Sequence, residues 1–162
     1  MLDFENIGEK FVRIVNTEDW RTLQDKFNRC NEIYVLGHGG NLAVADHAAV
    51  DITRLSNGTK NAVCPGSAIV ATSLINDSSF DQWMVQWLSS RTIARTKSQM
   101  KKSLVLGISS SGSSTDVLKA LQWANERGME IAMLTSYDIP MEIPNLTKVI
   151  LGAEYSTYFV PT

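Results

Sequence analysis

The chain has 162 residues, 44% of them hydrophobic and 20% charged, the proportions of one ordinary domain with a real apolar core. Its formal net charge of -2 leaves no excess of Lys and Arg to neutralise a row of phosphates, which argues against a grip on nucleic acid. Cys30 and Cys64 make neither a CxxC pair nor a disulfide framework, the opening MLDFENIGEK is too charged for a signal peptide, and no stretch is long and apolar enough to cross a membrane, so a cytoplasmic location is expected.

In FENIGEKFVRIVNTEDWRTLQDKFNRC, the apolar residues Phe4, Ile7, Phe11 and Ile14, then Trp20, Leu23 and Phe27, recur at helical spacing. That predicts two helices broken at Asn16, with Thr17 as N-cap of the second. EIYVLGHGG is a short β-branched run closed by glycines, hence a buried strand and a tight turn. NLAVADHAAVDITRL predicts a helix with Asn41 at its N-cap, and NAVCPG a second short strand. SAIVATSLIND fits helix or strand equally. SFDQWMVQWLSSRTIART is amphipathic, with Phe80, Met84, Trp87 and Leu88 on one side. KSLVLGISSSG reads as a strand and STDVLKALQWANERG as a helix stopped by Gly128 at C′; EIAMLTS and TKVILG are two further strands.

Short strands that are apolar throughout and alternate with helices predict an α/β fold, a parallel sheet covered on both faces. In such sheets ligands sit beyond the carboxyl ends of the strands, where the strand order reverses. YVLGHGGN and LVLGISSSGSS carry unusual chemistry at those ends. A turn of small residues entering a helix offers unpaired amides and the positive end of the helix dipole, and serine hydroxyls add donors without blocking close approach. Ser109, Ser110, Ser111 and Ser114, with Gly112 making the turn, therefore suit a phosphate monoester without any lysine. The plainer alternative is a polar loop with Ser113 or Ser114 as an N-cap. There is no GxxxxGK[ST], GHGGNL is not GxGxxG, and GISSSG is not GxSxG.

His47 and Asp51 are four residues apart, so both side chains share one helix face. Such a pair can bind a divalent metal, move protons on a sugar, or be an ordinary surface contact. Trp83, Met84 and Trp87, and the apolar loop from Met141 to Pro144, could mark a partner surface, although helical spacing favours core or a subunit interface.

GHGGN, IND and LGISSSGSSTDVLKAL followed by ERGMEIAMLTS resemble the SIS (sugar isomerase) domain, and within it the phosphoheptose isomerase branch, over residues 31–160. That family has a GNGGS turn after its first strand, a GND segment, and GxSxSGxS before a helix. The resemblance implies a flavodoxin-like, doubly wound three-layer α/β/α sandwich on a mostly parallel five-stranded sheet. Residues 1–30 would be N-terminal helices used in oligomerisation, and residues 31–162 the sugar-phosphate-binding domain. It further implies that Ser109, Ser110, Ser111 and Ser114 hold the phosphate, that His38, Gly39, Gly40 and Asn41 line the site, and that Asp77 lies close to the sugar.

The implied reaction converts sedoheptulose 7-phosphate to D-glycero-D-manno-heptose 7-phosphate. The family's HxxxE is HxxxD here, so Asp51 stands in the place of the base and His47 with Asp51 in the place of a zinc pair. Losing one methylene draws that carboxylate back by about a bond and a half, a displacement that can cost on the order of a hundredfold in rate. The family also carries a C-terminal helix with a glutamine and a histidine, whereas this chain ends in EYSTYFVPT and has only His38 and His47. The expectations are therefore three: a C-terminal segment is absent, His38 substitutes, or the chain is a non-catalytic sugar-phosphate-binding or regulatory module. A homodimer or homotetramer with sites at subunit interfaces is also implied.

Overall fold

A computed structural model describes residues 4–152, with side chains from residue 8 onward; the EYSTYFVPT end and the side chains of Phe4 and Ile7 lie outside that range. The elements in chain order are α1 (Phe4–Val15), α2 (Glu18–Arg29), β1 (Glu32–Gly37), α3 (Gly40–Leu55), β2 (Asn61–Val63), α4 (Ala68–Asp77), α5 (Trp83–Thr92), α6 (Lys97–Met100), β3 (Ser103–Ser109), α7 (Thr115–Glu126), β4 (Glu130–Thr135) and β5 (Thr147–Ile150). Every strand pairing is parallel, and the order is β2-β1-β3-β4-β5. That is the flavodoxin-like doubly wound arrangement, in which the strand order reverses between β1 and β3.

Continuous apolar strands make sense in this setting because successive side chains point to opposite faces and both faces are covered. Ile33 and Val35 of β1, with Leu104 and Ile108 of β3, bury one face against α2 and α3. Tyr34 and Leu36, with Val105, Ile131 and Met133, bury the other against α5 and α7. Trp83, Met84 and Trp87 are wholly inside this second layer, so the tryptophan-rich segment is core and not an exposed partner surface. In the loop from Met141 to Pro144, Ile143 is buried and Met141 exposed.

Two lysines tie α2 to the rest of the domain. Lys26 Nζ donates to the carbonyls of Ile131 at 3.0 Å and Asn145 at 2.6 Å, and burial lowers its pKa. Lys60 Nζ donates to the Phe27 and Cys30 carbonyls, both at 2.6 Å, satisfying the end of the helix. Among the described residues no helix is long and apolar enough to cross a membrane.

Thr17 caps α2 by accepting from the Trp20 amide, and Gly128 ends α7 at φ 73°. Three sequence expectations change or resolve. SAIVATSLIND is helix, nucleated by Ser67, whose hydroxyl accepts from the Ile69 amide. Phe80 lies before α5 and is exposed, so it does not share the buried face of Met84, Trp87 and Leu88. Asn41 is not the N-cap of α3: Gly39 is, and the helix begins at Gly40. The cause is the tightness of the turn, because a Cβ on Gly37 would run into the Asn41 carbonyl and meet the Leu42 nitrogen at 2.9 Å. Asn41 is thereby drawn into the first helical turn, with its side chain free to reach sideways.

Candidate functional site

The Asn41 side chain reaches across the point where the sheet reverses. Its Nδ2 donates to Ser110 Oγ at 3.1 Å. Since Gly37 pairs with Ile108 in the parallel register, the turn after β1 and the turn after β3 stand side by side at the carboxyl ends of adjacent strands. With the Ser110 hydroxyl also placed 3.4 Å from Asn41 Oδ1, this side-chain pair joins the two segments that sequence marked as unusual.

The serine turn is ordered from within. Ser109 Oγ, 1% exposed as a residue, lies 3.0 Å from Ser114 Oγ. Ser111 Oγ accepts from the Ser113 amide at 3.2 Å and from its hydroxyl at 2.9 Å. Gly112 takes φ 70°, and a Cβ there would meet Thr135 Oγ1 at 2.9 Å and the Tyr137 carbonyl at 3.0 Å. The turn thus rests on the end of β4, where the Ser136 amide also donates to the Ser110 carbonyl at 3.2 Å. Ser114 is the N-cap of α7, but its side chain makes no capping hydrogen bond. Its hydroxyl is turned to Ser109, which leaves the Thr115 and Asp116 amides available to an anion, while the Val117 amide donates to Asp116 Oδ1 at 3.0 Å.

His38 is exposed in the β1–α3 turn, beside Gly39 and Gly40, and its ring meets Phe80 edge-on with centroids 5.0 Å apart. Asp77 is the exposed last residue of α4, where its Oδ1 accepts from Asn76 Nδ2 at 3.2 Å. No hydrogen bond or ion pair among the described residues joins Asp77 to the serine turn.

His47 and Asp51 occupy a different part of α3. His47 Nε2 stands 3.2 Å from Asp51 Oδ2, and Arg54 Nη2 donates to Asp51 Oδ1 at 3.0 Å. The Arg54 hydrogen bond, reinforced by His47, holds the Asp51 carboxyl below its usual range, so it is ionised at neutral pH. The pair lines a groove of about 790 Å³ with Phe27, Val44, Leu55 and Lys60. His47 follows Asn41 by six residues, about 9 Å of helix and roughly 240° of rotation, so the pair and the serine turn do not face one another within one chain. As a zinc site the pair is incomplete. It supplies two donors where zinc takes three or four, and no group of three or more His, Cys, Asp or Glu that could hold a metal occurs among the described residues.

No family model matches the chain. The chain is 32% identical over 121 residues to the phosphoheptose isomerase of Pelobacter propionicus, an alignment covering 72% of this chain and 60% of that protein. Among solved structures, the phosphoheptose isomerase of Neisseria gonorrhoeae superposes with TM-score 0.70 at 24% identity, covering 91% of this chain and 82% of that one. The Francisella tularensis phosphoheptose isomerase gives 0.71 at 16% identity, covering 93% and 83%. The chain is similar in sequence to phosphoheptose isomerases and shares their fold. Both solved structures share its SIS fold, and the chain spans about 60% of the length of the Pelobacter relative.

Within the SIS fold, the sequence did not single out Ser136, Asp81 or Thr115. Ser136 Oγ is buried with no hydrogen-bond partner among the described residues, and its place at the carboxyl end of a strand beside the serine turn was the available signal. Asp81 and Thr115 gave none, because single polar residues in amphipathic segments read as solvated surface.

Proposed function

We propose that the chain is a phosphoheptose-type isomerase, converting sedoheptulose 7-phosphate to D-glycero-D-manno-heptose 7-phosphate. The observation that carries this reading is the Asn41–Ser110 bond, which joins the glycine turn to the serine turn at the carboxyl ends of β1 and β3. The similarity to phosphoheptose isomerases supplies the substrate. Ser109, Ser110, Ser111 and Ser114 hold the phosphate together with the first-turn amides of α7, and Gly39, Gly40 and Asn41 form the opposite wall.

In the ketose-to-aldose direction a base takes a proton from C1, an enediol forms, and a proton returns to C2 while the hydroxyl proton passes from O1 to O2. Anchoring the phosphate fixes C1 and C2 for that transfer. Asp51, ionised beside Arg54, is the base, and His47 is the second proton carrier. His38, across from the serine turn, stabilises the developing oxyanion, and Asp77 meets the sugar hydroxyls. Because His47 and Asp51 face away from the serine turn of their own chain, the working site draws them from a second copy, in a homodimer or homotetramer. A zinc ion at His47 and Asp51 requires further donors from outside the described residues, and no step here depends on one.

The second reading is a sugar-phosphate-binding module without turnover. The shortened acid favours it, since both Asp51 oxygens are already engaged by His47 and Arg54. Incubation with sedoheptulose 7-phosphate, followed by anion-exchange separation of the products, decides between them. The isomerase reading predicts aldose formation well above an Asp51→Ala control, and a rate equal to that control contradicts it.

A further inference from the structure

Residues 78–82, between α4 and α5, touch both the glycine turn and the start of α7. Phe80 packs edge-on against His38, at an interplanar angle of 74°. The next residue is fastened to the opposite side, for Asp81 accepts from Thr115 Oγ1 on one oxygen and from Lys119 Nζ on the other, both at 2.8 Å. Two residues on, wholly buried Trp83 donates from Nε1 to Asp116 Oδ2 at 2.9 Å. Thr115 and Asp116 are the residues that directly follow the serine turn. The α4–α5 junction therefore clasps the helix start that carries the phosphate seat, and holds the histidine of the facing turn with its other hand.

The two fastenings do different work. Trp83 and Asp116 are buried, so their bond bears on stability. Asp81 and Lys119 have side chains 44% and 43% exposed, a setting in which an ion pair contributes little to folding. What the Asp81 contacts bear on is direction: two bonds on one carboxylate anchor the segment beside Phe80, whose ring meets His38 edge-on.

We propose that Asp81 is a positioning residue, which locks residues 78–82 to the first turn of α7 and so sets His38, through Phe80, at a fixed place across from the serine turn. The proposal rests on the sugar-phosphate reading for its consequence. A ligand anchored by its phosphate at the serine turn extends toward the glycine turn, so His38 meets the sugar end. Loss of Asp81 then weakens recognition of the sugar and spares recognition of the phosphate.

The test uses Asp81→Ala, the conservative Asp81→Asn, which keeps an acceptor for Thr115, and Phe80→Leu as a ring-free reference. Proton NMR of the ligand-free protein resolves the imidazoles readily because the chain has only two histidines, and His47→Ala assigns them. Wild-type His38 is expected to show a ring-current displacement that Asp81→Ala reduces toward the Phe80→Leu position, with Asp81→Asn between them. In binding, Asp81→Ala is expected to raise the dissociation constant for sedoheptulose 7-phosphate about tenfold, the weight of one well-placed hydrogen bond, while that for inorganic phosphate stays within about twofold. Unchanged His38 shifts in Asp81→Ala, or parallel losses for both ligands, overturn the proposal. If the wild type binds neither ligand, the sugar-phosphate reading falls, and the His38 shifts still decide whether Asp81 places that ring.

Discussion

The serine turn and the His47–Asp51 pair sit on the same scaffold yet are built in opposite ways. Residues 109–114 are cross-braced by hydroxyls, packed against the end of β4, and tied to α3 through Asn41. The pair is a short chain of polar side chains on the outer face of one helix, with the His47 side chain 81% exposed. A binding seat must hold its shape before the ligand arrives, so it is made of main chain and short side chains. A proton-moving group needs reach and access, and gains its final environment only when something closes over it. Substitutions in the first region should therefore damage binding and folding together, whereas those in the second should damage only chemistry.

The largest effect is expected at the exposed pair. Asp51→Ala should lower kcat on the order of a thousandfold with an unchanged melting temperature; a matching loss of stability would break the contrast between the regions. Next, Gly112→Val forces a β-branched residue into φ 70° against Thr135. It should cost about 3 kcal/mol in denaturant unfolding and abolish phosphate binding.

Trp83→Phe leaves the buried Asp116 oxygen without its donor, a loss of about 2 kcal/mol readable as a lower thermal midpoint. Ser110→Ala removes the partner of Asn41 and should weaken sugar-phosphate binding about fivefold by calorimetry, with a small accompanying drop in the thermal midpoint.

The smallest effect sharpens the comparison from the side of pH. Arg54 keeps Asp51 ionised to lower pH than an ordinary carboxylate, so if Asp51 is the base the acid limb of kcat/KM should lie below the usual carboxylate range. Arg54→Ala should move that limb upward, because the base then protonates at higher pH as acidity increases. A limb unmoved by Arg54→Ala would mean that another group is the base.

How far each region could be read from sequence follows from the range of its contacts. The strands and the glycine and serine turns were legible because each is a continuous local signal, an apolar run ending in small residues. The helix pair was legible because i,i+4 spacing is local too. The Asn41–Ser110 bond spans 69 residues and exists only because β1 lies beside β3, so it became visible with the sheet order. Misplacing Asn41 as a cap came from the same source, since the close approach of Gly37 to the helix start is a packing fact. The type of α4 stayed open because a short apolar run has no decisive period. The clasp of Asp81 on Thr115 and Lys119 joins two surface segments whose polar residues carry no signal until they meet.

The central claim, that the bend between β3 and α7 seats a phosphoryl group, is tested most directly by following backbone amides in a ¹⁵N–¹H titration with sedoheptulose 7-phosphate. The account predicts saturable shifts centred on residues 110–116 and 38–41, with weaker binding in Ser110→Ala. Saturable shifts confined to the groove of Phe27, His47 and Lys60, with the bend unmoved, would contradict it.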